Sequence, residues 1–184
     1  MTAPYDHAAF WVEAKLFLNH AMDSDEPRTF DERALWASIA LELLAKASLA
    51  LVSPLLIAAP TEDGTNLLIA SGLMRGDIRF NSVNAHTLYS RCHKAFKPFS
   101  AKEAQAITHA RNEYLHGGGV GFTVVPADVW WSRYWSQATI LVHALDKDIE
   151  DLVGVERVPI VEKYLAQNSK NLEHRFQMLT ARAQ

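Results

Sequence analysis

The stretch from Ala34 to Ala59 is the most apolar part of the chain and limits the fold more than any other segment. Trp36, Ile39, Ala40, Leu43, Ala47, Ala50 and Leu51 recur at intervals of three and four, which predicts one apolar face of a helix from Asp31 to about Ser53. Pro54 should end or kink it, because proline has no N–H to donate and clashes with the preceding turn. Glu42 and Lys46 interrupt the run, and the charge-free remainder is too short to span a bilayer, so the expectation is a buried core helix and no membrane partner. Four residues apart, Glu42 and Lys46 can pair along one flank, a contact worth roughly 0.2–0.5 kcal/mol.

Helical spacing continues through most of the sequence, and no alternating apolar pattern is longer than Gly121 to Val125. A first helix is expected from Asp6 to Met22, followed by the polar break Asp23-Ser24-Asp25-Glu26-Pro27. Gly64, Gly72 and Gly76 punctuate Pro60 to Asn84, where only Asn66 to Ser71 reads as briefly helical; a functional loop is one reading, and the sequence leaves the role of this stretch open. Helix returns from Ser82 to Phe96 and restarts at Ser100. It opens again at Pro126-Ala127-Asp128, running to about Val153, and last at Pro159, running toward Ala183. The reading is all-α, one domain over residues 1–184, a bundle of about five to seven helices. A length of 184 residues with 49% hydrophobic content is enough for one sizeable core.

Charge and cysteine usage narrow the function classes. Cys92 stands alone and no secretory signal precedes the first helix, which leads to an expected cytoplasmic location. His86, His93, His109, His116 and His143 show neither an H-x(3)-H pair nor an accompanying carboxylate triad, so no metal and no cofactor is expected. A net charge of −3 argues against indiscriminate nucleic-acid binding, yet the charge is unevenly placed. Arg75, Arg79, Arg91, Lys94, Lys97 and Lys102 face only Asp77, giving this stretch +5 against −8 for the remainder. Arg91, Lys94, Lys97 and Lys102 are the expected contacts to an RNA backbone, the alternative being an ordinary solvated surface.

This basic segment leads into the chemistry-bearing helix. Ser100-Ala101-Lys102-Glu103 reads as a capping box at its start, and Gly117-Gly118-Gly119 marks its end. Before the glycines stand Arg111-Asn112-Glu113-Tyr114-Leu115-His116: a permanent cation, an amide and a titratable imidazole. A guanidinium holds phosphate oxygens with paired hydrogen bonds, and an imidazole exchanges protons near neutral pH. Gln105, His109, Asn112 and His116 form a polar ridge at helical spacing, while Ile107, Ala110 and Tyr114 follow an apolar line. On an ideal helix Arg111 lies about 140° around from His116. One helix alone would not aim both at one phosphate, which suggests a site completed by another chain.

With these residues the sequence resembles the HEPN superfamily, small all-α bundles, usually dimeric, with an R-x(4 to 6)-H signature at a helix end. Arg111, Asn112 and His116 match it at the shortest spacing, and the resemblance covers roughly residues 30–150. Arg79 and His86 also satisfy the six-residue version, but Phe80 follows the arginine and the intervening segment reads as a turn. The resemblance implies a metal-independent endoribonuclease in which two motifs meet across a homodimer and the RNA's own 2′-hydroxyl attacks the adjacent phosphate. His116 would be general base or acid, Arg111 would hold the phosphate, and Asn112 would orient the histidine or the scissile group.

Such a protein would be a toxin or defence effector, held by an antitoxin or another regulatory protein. His109 is either an auxiliary group or a satisfied structural histidine, and Glu42 is an auxiliary only if it approaches the motif. Trp131, Trp135, Ala138, Val142 and Leu145 follow core spacing, whereas Trp130 and Arg133 fall elsewhere and suit a dimer contact or base stacking. Two other classes compete: a catalytically silent HEPN-like module binding RNA, nucleotide or protein, and a structural helical oligomer with the tryptophans as its buried anchor.

Overall fold

A side-chain cap opens the first helix: the Asp6 carboxylate accepts from the Ala8 N–H at 3.0 Å, and α1 runs His7–Met22. The computed structural model describes residues 5–24, 27–75, 81–112 and 125–182, with side chains left aside at 110–112 and 171–182. Thr29 caps α2 (Phe30–Val52) through the Glu32 N–H. After a 3₁₀ turn at Pro54–Leu56 come α3 (Thr65–Ala70), α4 (Ala85–Ala95) and α5 (Ala101–Asn112). The chain then forms α6 (Ala127–Ala144), the short α7 (Ile149–Val153) and α8 (Val158–Arg182). The protein is all-α, with no strand among the described residues and one isolated β-bridge between Ala58 and Ser82.

The centre of the bundle is α2, which packs against α1, α4, α5 and α6. It is buried on nearly every side rather than along one stripe, with Ala34, Ala37, Leu41, Leu44, Ala45 and Leu49 joining the expected Ala40, Leu43, Ala47 and Ala50. Leu51, expected on the core face, is 42% exposed, because the helix is emerging from its neighbours at its last turn. Length and composition alone would let α2 cross a membrane, yet it is mostly buried inside the protein. Small residues let the neighbours come close enough for side-chain-to-backbone ties. The Ser48 hydroxyl donates to Leu141 O in α6 at 3.0 Å, and Ser38 donates to Ala34 O at 2.7 Å and reaches Ile107 O in α5 at 3.5 Å. Burial pushes the Cys92 thiol up to about 12, and its Sγ faces Ala45 O.

One expectation needs correction. The long helix expected from Pro126 to Val153 breaks after Ala144. Asp146 takes φ +56, a left-handed conformation that aspartate tolerates, and Lys147 N–H returns to Val142 O. Asp148 then starts α7, its N–H donating to the Asp151 carboxylate at 3.0 Å. The stretch from Pro60 to Asn84, whose role the sequence leaves open, is tied down in its described parts by buried Asn66, which donates to Ala59 O at 3.0 Å and Asn81 O at 3.4 Å. The short α3 and α7 raise the count to eight α-helices among the described residues.

Aromatic residues fill the space around α6. Trp130 stacks on Tyr134 at 5.4 Å, and Tyr134 meets Trp135 edge-on at 5.2 Å. Trp130 is 4% exposed, which removes it as a dimer contact or stacking platform; its core position comes from packing against Phe30, 5.8 Å away. Trp131 and Trp135 are buried as well, so these tryptophans anchor the fold of one chain rather than an oligomer interface.

The Tyr134 hydroxyl is buried without an acceptor among the described residues. Burial, reinforced by the neighbouring Tyr89 phenol, holds its pKa well above 10.0. Below that ordinary value both folded and unfolded chains keep the phenol neutral. Above it only the unfolded chain releases the proton, so stability present at lower pH is lost as pH rises past 10.0, by up to about 1.4 kcal/mol per pH unit. Tyr134→Phe should flatten this alkaline loss and leave stability at neutral pH unchanged or higher, since it deletes a polar group that gains nothing from burial. Urea midpoints at about pH 7 and pH 10.5 read both effects; a weaker variant at neutral pH would contradict the assignment.

Candidate functional site at the α4–α5 face

The N-terminal half of α5 is fixed at several points. Ser100 Oγ accepts the Glu103 N–H at 3.3 Å, and the Ser100 N–H donates to Gln137 Oε1 of α6 at 2.7 Å. The expected capping box therefore forms only in part. Glu103 turns its carboxylate toward Arg133 Nε, 3.7 Å away, which ties α5 to α6. Arg133, the other suggested dimer contact, is occupied within its own chain. Ala104, Ile107 and Thr108 face inward and are buried, whereas Lys102, Ala106 and His109 point outward.

The outward face meets α4 across an open cleft of about 440 Å³ lined by Ala85, His86, Gln105, Ala106, Thr108 and His109. Gln105 and His109, the first half of the predicted polar ridge, thus share one solvent-accessible space. His86, which the sequence offered only in the discounted Arg79 pair and among the histidines set aside as metal ligands, stands in the same cleft. Arg111 and Asn112 close the last described turn of α5 by their backbones; their side chains, and His116 entirely, lie outside the described residues, as do Arg79 and the three glycines at 117–119.

The remaining expectations divide. Arg91, half-buried, has a structural tie: it donates from Nη1 to the Leu56 carbonyl that ends the 3₁₀ turn, which commits one of its guanidinium nitrogens to the fold. Lys97 is exposed and its ammonium lies 3.2 Å from His93 Nε2, while His93 Nδ1 lies 2.7 Å from Phe99 O. That geometry suits a neutral imidazole with its proton on Nδ1, donating to the carbonyl and accepting from the lysine. Lys94 and Lys102 are exposed on the two helices that wall the cleft. Glu42 pairs with Lys46 at 3.1 Å as expected, both largely buried. It lies one turn along α2 from Ser38, the residue that touches α5.

Among the described residues no group of three or more His, Cys, Asp or Glu side chains is arranged to hold a metal ion. The chain matches no known family model, no curated protein and no solved structure.

Proposed function

We propose that this protein is a metal-independent endoribonuclease of HEPN type, acting in the cytoplasm as a homodimer with a composite site and serving as a toxin or defence effector under a protein regulator. The observation that carries the reading is the placement of Arg111-Asn112-x(3)-His116: it begins in the last described turn of a helix anchored deep in an all-α bundle and flanked by an open, histidine-lined cleft. In the reaction the RNA 2′-oxygen attacks the adjacent phosphorus and loses its proton as the 5′-oxygen of the next nucleotide leaves and gains one. The products are a 2′,3′-cyclic phosphate and a 5′-hydroxyl. His116 handles one of these protons, Arg111 holds the phosphate oxygens as their charge develops, and Asn112 orients the group that reacts.

Purified protein incubated with RNA in EDTA tests this directly. Cleavage with cyclic-phosphate ends is the expected result, and cleavage that appears only on adding a divalent metal would sink it. The open cleft favours a second reading, a module that binds RNA without cutting it. RNA binding with a steep salt dependence, together with intact RNA after prolonged incubation, would select that reading.

A further inference from the structure

Two alanines shape the cleft between α4 and α5. Ala85 and Ala106 leave room that longer side chains would fill, and the volume of about 440 Å³ falls within the range of roughly 300–1,000 Å³ that holds small organic ligands. The polar equipment around this apolar floor is specific in kind. Gln105 carries an amide, with donors and an acceptor side by side, that makes no hydrogen bond among the described residues. Thr108 has no proton to offer a ligand, because its hydroxyl donates to Ala104 O at 2.7 Å, and it can only accept there. His86 and His109 add two flat aromatic rings, both exposed. No carboxylate lines the cleft, so a ligand joined to phosphates meets no repulsion there.

We infer that this cleft is a nucleobase-binding subsite in which Gln105 reads the edge of the base and His86 and His109 hold its faces. An amide matches the adjacent donor and acceptor of a base edge, and bases splayed from single-stranded RNA stack on aromatic side chains including histidine. From His109 to Asn112 is three residues, about 4.5 Å of helix rise. A base held here belongs to a nucleotide next to the one being cut. In that respect the inference rests on the ribonuclease reading, but base binding itself does not.

The test uses the full, unaltered chain, since nucleoside 5′-monophosphates hold no phosphodiester link to be cut. Titration with the four nucleoside 5′-monophosphates, followed by NMR of the histidine ring and glutamine amide signals, should shift His86, His109 and Gln105 and rank the bases over a range of about tenfold. Gln105→Ala should compress that range to less than about twofold, and His86→Ala should weaken all four nucleotides alike. Unmoved cleft signals, or a base ranking that survives Gln105→Ala, would overturn the inference. The two readings fail separately. Wild-type protein that leaves RNA intact in EDTA while the cleft still ranks bases ends the ribonuclease proposal and keeps the subsite. RNA cleavage with a silent cleft does the reverse.

Discussion

Replacing His116 with alanine is expected to slow RNA cleavage by about 10²–10⁴-fold, the usual contribution of a positioned proton-transfer group. Arg111→Ala should cost about 10²–10³-fold, since loss of one group stabilising developing oxyanion charge has that effect elsewhere. Neither change should unfold the protein. Two contacts that hold α5 in place, Ser100 with Gln137 and Glu103 with Arg133, lie at its other end, and a third, Ser38 with the Ile107 carbonyl, engages the backbone at its middle rather than either of these side chains. Initial cleavage rates, thermal melts and sedimentation of each variant separate chemistry from stability and assembly. Full activity in either variant ends the catalytic assignment. A shift from dimer to monomer that accounts for the lost rate would move Arg111 and His116 from the reaction to the interface.

Local signals in the sequence were legible because their causes are local. Asp6 and Ser100 announce helix starts through a side-chain oxygen that reaches an N–H two or three residues on, and Pro159 fits the first turn of α8. The break after Ala144 was hidden because Leu145, Ile149, Leu152 and Val153 continue the apolar pattern across it, while the left-handed Asp146 is a backbone choice that the pattern does not record.

Tertiary pairings were less legible still. Nothing in residue spacing says that the Arg91 guanidinium goes to the Leu56 carbonyl, or that Trp130 folds inward against Phe30. The same holds for the candidate site. Arg111, Asn112 and His116 could be singled out by residue type and position, but His86 joins His109 only because α4 and α5 pack side by side, a relation between residues far apart in the chain. Glu103 illustrates the opposite case: a correct local signal, the capping box, lost half its partners to Arg133 of another helix.

Trp135→Ala should be the most damaging single change to the fold, costing about 3–5 kcal/mol by removing a large buried side chain and leaving a cavity. Trp135 is fully buried in the middle of α6, its ring stacked 6.4 Å from Trp131 and edge-on to Tyr134. Around it α6 packs against α2, α5 and α8, so the void cannot close without moving helices that Ser48 and Glu103 tie in place. For a chain of this size the melting temperature should fall by roughly 6–20 °C. Because typical total stability is only about 5–15 kcal/mol, Trp135→Phe, which keeps an aromatic ring, serves as the milder variant and should lose less. Leu51→Ala, at the exposed end of α2, should change stability by less than about 1 kcal/mol. The consequence for function follows from Gln137 and Arg133, the two α6 residues that hold the start of α5. A loosened α6 lets the motif helix shift, so cleavage should decline at temperatures where Trp135→Ala is still largely folded, while Leu51→Ala tracks the parent protein. Parallel melts and rate measurements on the three variants check this, and equal activity per folded molecule across them would show that α6 does not position the site.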